Sequence, residues 1–515
     1  VKRHRIACTL ALFAISLHLT FNHRFGYYRD ELYFIDCAHH LAWGFVDQPP
    51  LVPLLVWMTA PVDYALWAMR LVPAILSGVT VLLGCAIARE LQGGLFSEAL
   101  TGIALTLAPA YLLLGYGLST EFLSPAAWSA VLFLTIRLVN TKNERLLIAI
   151  ALVVALAMYA KYSIAACAAA LALALVITGH GRLLLSKWLV LGIVLVTVTL
   201  LPNALWQWDH GLPMLGVIHG DQVNRHALAN GAILESSNPA ANTLYFAATQ
   251  LVYQNPLLSI IWIWGLVAFA WGARNAKYRF LAIAYGLLVS LIVATVGRGY
   301  YLTGFYPTLL AGGAVAIEDV LRRKPRWAQP VLLGFAIVVA AVMVPFALPV
   351  FSLPTYTRYE IAIGLSRRAP ADDKYHLVNP VYADQLGWED MTKMVAQVYH
   401  SLPPAQRAGT AIFADRYAYA GAIDFYGPRY GLPPVISPNN SYYLWGTRGY
   451  SGTSVIAVGA TDYRLLLHAF GTVRQIAVYR NEYRWILEGP LPIYVCTHPF
   501  APLSKLWPSF KYYGL

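Results

Sequence analysis

The sequence predicts a polytopic α-helical membrane protein of about eleven transmembrane helices plus interfacial helices, followed by an extracytoplasmic C-terminal α/β domain. Three observations predict it. The 515-residue chain is 58% hydrophobic and only 12% charged, with a mean hydropathy of +0.55, whereas an ordinary soluble domain is about 25% charged. Its apolar residues arrive in runs long enough to span a bilayer. After residue 351 these runs give way to short β-type segments alternating with helix-like stretches. Such a chain is neither disordered nor a disulfide scaffold nor a single soluble globule.

Apolar segments of spanning length lie at about 6–21, 67–89, 98–116, 121–139, 145–160, 162–178, 187–206, 256–272, 278–296, 302–318 and 329–351. The first follows Lys2, Arg3 and Arg5, as a signal peptide would, but FNHRFGYYRDELY after it lacks a small-x-small cleavage pattern. A retained anchor helix is expected. Two outer loops are long, about 22–66 and 207–255. In the first, Pro49, Pro50 and Pro53 open a short apolar helix suited to lying in the interface plane. In the tail, residues 411–414, 455–459, 476–479 and 492–496 read as strands, which defines two domains, 1–351 and 352–515.

Charge tests the orientation. With a cytoplasmic N-terminus, eleven spans place the C-terminus outside. Of the 22 Lys and Arg residues before position 352, 16 then fall inside and 6 outside, as the positive-inside rule requires. The net charge of +12 therefore reports topology, and no nucleic-acid partner is expected. Of the five cysteines, Cys8, Cys85 and Cys167 fall in apolar runs; Cys37 and Cys496 can pair only if the fold unites them.

Ionisable residues near a span are functional candidates by default, and here they gather at the outer ends. Asp30 and Glu31 stand side by side just after the first span, where adjacent carboxylates suit a general base or cap an interfacial helix. Glu121 opens the fourth span, either as a second acid or as a charge matched to the helix dipole. Lys161 sits in MYAKYS with almost no loop around it. It needs an anion, a carboxylate or a lipid phosphate, unless it snorkels to the headgroups. Arg298 stands beside Tyr300, Tyr301 and Tyr306, a set that serves either as a phosphate clamp or as an aromatic belt. A transporter would place coupling groups near the midplane; this chain builds its polar site at the external face, which suits chemistry on a lipid-borne substrate.

The segments YRDELYFIDCAHHLAWGFVDQPPL, LSTEFLSP, AKYS and GRGYYLTGFYPTLLAGG resemble, in this order, the bacterial membrane glycosyltransferases related to protein O-mannosyltransferases and the lipid A aminoarabinose transferase. In the tail, ADQLGWEDM, AIDFYGPRYGLPPVISPNNSYYLWG and LPIYVC resemble a bacterial subgroup of the same family. The resemblance implies a GT-C type fold in a bacterial inner membrane. It implies that Asp30 is the catalytic base for the acceptor, with Glu31 its motif partner and Glu121 the second outer-loop acid. It implies that Lys161, Arg298 and Tyr301 hold the phosphate of a polyprenyl-phosphate-linked sugar donor, joined by Arg225. One departure stands out: the aminoarabinose transferase carries Lys-Pro-Pro where this chain has Gln48-Pro49-Pro50, which points to a different donor or acceptor.

The expected activity is inverting transfer of a single sugar from that donor to an extracytoplasmic acceptor, whether protein, lipid or envelope glycan. A polyprenyl-linked glycan ligase or polymerase is the enzymatic alternative, and a lipid-linked sugar transporter or flippase the non-enzymatic one. No nucleotide is required, and no cofactor is certain. A divalent cation between Asp30 and Glu121 is compatible with the two acids, although no histidine-rich pattern supports it. The Tyr- and Trp-rich tail can present an acceptor or cover the cleft.

Overall fold

The computed structural model describes residues 2–220, 239–295, 297–364, 376–459, 463–484 and 489–514. Each of the eleven apolar segments contains a helix. In chain order, with the helices of the outer loops, they are α1 (Lys2–Phe21), α2 (Arg29–His39), α3 (Leu51–Trp57), α4 (Leu66–Glu90), α5 (Leu95–Leu107) and α6 (Pro109–Tyr116). There follow α7 (Ser124–Thr141), α8 (Leu146–Met158), α9 (Ser163–Ile177), α10 (Lys187–Asp209) and α11 (Pro239–Tyr253). The last are α12 (Ser259–Trp271), α13 (Arg279–Ala294), α14 (Tyr306–Leu321) and α15 (Ala328–Ala347). Among the described residues four helices are long and apolar enough to cross a membrane, or five if the bent pair α5–α6 is one span.

That bend has a local cause. Ala108 precedes Pro109, and the proline ring disfavours helical geometry at the residue before it. Ala108 accordingly takes an extended conformation, φ −71° and ψ 135°, and the two helices meet at 57°. The bend turns Ala110, Leu113, Leu114 and Tyr116 of α6 toward a cavity shared with the tail. α3 forms where the prolines predicted it, with Pro50 at its N-cap, and it leaves Leu54, Trp57 and the following Met58 exposed, as an interfacial helix would.

The tail forms a five-stranded sheet in the order β3-β2-β4-β7-β5, from β2 (Thr410–Ala414), β3 (Val435–Ile436), β4 (Ser454–Val458), β5 (Phe470–Tyr479) and β7 (Leu491–Pro499). Strands β3, β2 and β4 run parallel; β7 is antiparallel to β4 and β5. A second, two-stranded sheet pairs β1 (His376–Leu377) with β6 (Tyr483–Arg484). All four strand runs read from the sequence are present, and Phe470–Gln475 extends the third toward its N-terminal end. Cys37 in α2 and Cys496 in β7 are both buried and both free.

The tail does not stand apart from the helices. Buried Ile412, Ile423, Val435 and Ile456 share one core with Leu32, Phe34, Val52 and Val56 of α2 and α3. Contact is closest where α16 (Tyr417–Tyr426) crosses α2: a Cβ on Gly421 would lie 2.9 Å from the Leu32 carbonyl carbon and the Tyr33 nitrogen. Backbone cannot give way as a flexible side chain can. Gly421→Ala is therefore expected to destabilise the protein by about 1–3 kcal/mol, read as a lowered midpoint of thermal unfolding.

Candidate active site

A cavity of about 590 Å³ opens between the helices and the tail. Its wall includes Asp30, Glu121, Lys161, Arg298 and Tyr301, drawn from four separate stretches of chain. Arg225 lies outside the described residues.

One end of the cavity is cationic and aromatic. The bend at Ala108 and the break at Gly117 let the chain between α6 and α7 present Glu121 to the turn between α8 and α9, where Lys161 sits. Their side chains form an ion pair of 2.6 Å, and the Ser124 hydroxyl donates to the other Glu121 oxygen at 2.5 Å. The ammonium also lies over the rings of Tyr301 and Tyr300, at 4.5 Å and 5.6 Å, a favourable cation–π arrangement. Burial opposes its charge, but Glu121 and the two phenols outweigh that, so the Lys161 pKa lies above its ordinary value. Lys161 is thus a permanent cation. Arg298 joins this end on the turn that carries both tyrosines. That turn is held from behind, because Gln250 of α11 donates to the Gly299 carbonyl at 3.1 Å and accepts from the Tyr306 hydroxyl at 2.8 Å.

The other end carries Asp30. Its Oδ1 accepts a 2.7 Å hydrogen bond from the hydroxyl of Tyr417, a tail residue 387 positions away. Burial, reinforced by the Asp30 charge, pushes the Tyr417 hydroxyl well above its ordinary pKa, so it stays protonated as a donor. Arg29 reaches Asp384 at 3.4 Å and Asp30 at 3.9 Å. Burial also raises the Asp384 carboxyl above its ordinary pKa, against the pull of Arg29. Half-buried Tyr28 lines the same cavity as Asp30 and Tyr300.

Glu31 points elsewhere. Consecutive residues on a helix do not share a face, and Glu31 is fully buried against Arg70 in a two-point ion pair of 2.8 and 2.7 Å. The Leu118 and Tyr28 backbone N–H groups donate to its two oxygens, each at 2.9 Å. Arg70 also donates to the Asn22 and Gly26 carbonyls and lies over the Tyr116 ring. This knot fastens the first outer loop, α2, α4 and the end of α6 together, and fixes the position from which Asp30 projects. Gln48 is buried beside Cys37, and Pro49 takes the place on the cavity wall.

Arg70, Tyr417 and Asp384 are absent from the sequence-level set. A signal existed only for Arg70, a lone cation at the start of an apolar run. Among the described residues no three His, Cys, Asp or Glu side chains converge as a metal site. Glu121, one of the two acids that a cation would need, is engaged by the Lys161 ammonium instead.

Residues 47–206, covering α3 to α10 and the Glu121 and Lys161 positions, match the family model of dolichyl-phosphate-mannose-protein mannosyltransferases. The fold is that of the GT-C glycosyltransferases. The structure matches ArnT of Cupriavidus metallidurans in its apo state with a TM-score of 0.55 and 14% identity, over 96% of this chain and 97% of that one. The same values hold for that ArnT bound to undecaprenyl phosphate. No curated protein matches the chain in sequence.

Proposed function

We propose that this protein is an inverting glycosyltransferase that moves one sugar from a polyprenyl-phosphate donor to an extracytoplasmic acceptor. The observation that carries the reading is the single cavity in which a carboxylate, Asp30, adjoins the Lys161–Arg298–Tyr301 cluster. ArnT of the same fold holding undecaprenyl phosphate supports the donor class. The setting is a bacterial inner membrane crossed eleven times, with the N-terminus cytoplasmic and the tail outside, which the distribution of basic residues supports.

The chemistry follows from charge. A polyprenyl-phosphate sugar is a phosphodiester bearing one negative charge, and its departing phosphate gains a second. Lys161 and Arg298 place two cations on the cavity wall to meet it. Fixed cations of this kind stabilise a developing anion without reorganising, so the leaving group needs no proton donor. The acceptor hydroxyl does need a base. Tyr417 holds one Asp30 oxygen, and the other takes the proton as the hydroxyl attacks the anomeric carbon from the face opposite the phosphate. The anomeric configuration inverts. Glu31 acts through Asp30 as a positioning residue, held by Arg70.

Losing a hydrogen bond to a charged group costs about 1.5–3 kcal/mol. Lys161→Ala and Arg298→Ala should therefore each weaken binding of undecaprenyl phosphate roughly ten- to hundredfold, measured by titration of the purified protein. Unchanged affinity in both variants would remove the phosphate assignment.

A further inference from the structure

The cavity has a third wall, supplied by the tail. Parallel strands β3, β2 and β4 direct their carboxyl ends the same way, and the chain order reverses at β2. In open α/β sheets ligands bind outside the carboxyl ends of strands, at such a reversal. Here the residues just past those ends face the membrane cavity. Tyr417 follows β2 and Asn440 follows β3, and both line the cavity with Asp47 of the first outer loop. The two tail loops are tied together, since the Tyr417 N–H donates to Asn439 Oδ1 at 2.9 Å.

The Asn440 side chain is buried, and its Nδ2 donates to Asp47 Oδ2 at 3.3 Å. Asp47 Oδ1 accepts from the Tyr33 hydroxyl at 2.7 Å, and the Tyr33 and Tyr417 rings lie 4.9 Å apart. Asn440 also adopts φ 47° and ψ −132°, a backbone state that a non-glycine residue keeps only when its surroundings hold it there. The hold is visible: the Asn440 N–H donates to the Tyr512 carbonyl, and the Gly514 N–H donates to Asn440 Oδ1. A carboxylate, a carboxamide and a phenol are thus fixed on the cavity wall, linked to Asp30 through the Tyr417 hydroxyl.

We infer that Asp47, Asn440 and Tyr417 form the subsite that reads the hydroxyls of the donor sugar, so that the tail is a specificity element rather than a cover. This rests on the donor reading above. A sugar presents alternating donors and acceptors; the carboxylate of Asp47 accepts from hydroxyls, while the Asn440 amide both donates and accepts. A lipid-borne sugar with its phosphate at Lys161 and Arg298, and its anomeric carbon beside Asp30, carries its remaining hydroxyls toward this wall. Sites built to pair with hydroxyls discriminate strongly, because a missing partner leaves buried polar groups unmatched.

The test compares two probes, undecaprenyl phosphate and undecaprenyl-phosphate mannose, binding to the full chain in nanodiscs. Wild type should bind the mannosylated lipid at least tenfold more tightly than the bare one. Asp47→Asn and Asn440→Asp should erase most of that increment while leaving bare-lipid affinity within about twofold; Asn440→Ala should do the same if it folds. Lys161→Ala should weaken both probes. Equal losses for both probes in the Asp47 and Asn440 variants, or an unchanged increment, would overturn the subsite. So would a wild type that binds the two lipids alike. If wild type binds neither lipid, the donor reading itself fails, and the subsite falls with it.

Discussion

Asp30→Asn is expected to lower sugar transfer by about 10²–10⁴-fold, the usual contribution of a positioned general base, while leaving donor affinity nearly unchanged. The amide keeps the shape of the carboxylate and accepts the Tyr417 hydrogen bond, but it cannot take the acceptor proton. The phosphate-binding side chains are untouched by the substitution. The loss therefore falls on turnover and not on binding, a split visible in single-turnover rates beside lipid titrations. Weakened donor binding with normal turnover would assign Asp30 to the wrong step. A flippase would respond differently, because moving a lipid-linked sugar needs no proton abstraction and would survive the change.

The second large effect is on stability. Glu31 and Arg70 are fully buried, and breaking such a pair from one side costs about 3–5 kcal/mol, since the partner keeps an uncompensated charge. Arg70→Met should cost that much and lower the yield of folded protein sharply. Glu31→Gln should cost less than Arg70→Met, because the amide oxygen still accepts from one of the two backbone donors. Removing both charges at once should not restore wild-type stability. One of the Leu118 and Tyr28 N–H groups would still lose its acceptor, and a buried unsatisfied donor costs about 1–3 kcal/mol. Thermal unfolding of the two single variants and the double variant tests this. A fully stable double variant would show that the pair, and not the knot around it, carries the energy.

Much of the site was legible because charge is scarce in this chain. Asp30, Glu121, Lys161 and Arg298 stood out as ionisable residues at the outer ends of apolar runs, and the fold gathers all four around one cavity. Glu31 was paired with Asp30 by adjacency, but adjacency along a helix separates side chains, and Arg70 claims the second acid. Arg70 itself was read only as a topological charge. Tyr417 and Asn440 carry no local signal. Their roles arise from pairings across nearly 400 residues, set by how the sheet docks on α2. The helices were readable throughout from composition, and the Pro109 bend follows from one residue. The extent to which the tail core merges with α2 and α3 was not readable, because each side looks like an ordinary amphipathic surface until the two are packed.

The most direct test of transfer at the outer face is mass spectrometry of envelope lipids, glycans and proteins from cells carrying wild type, Asp30→Asn or no copy of the gene. The expected result is a product one sugar heavier with wild type alone, and accumulation of the sugar-loaded polyprenyl phosphate in the other two. An increment of several sugars would point instead to a ligase or polymerase. Identical lipid, glycan and protein profiles in all three strains would contradict the account.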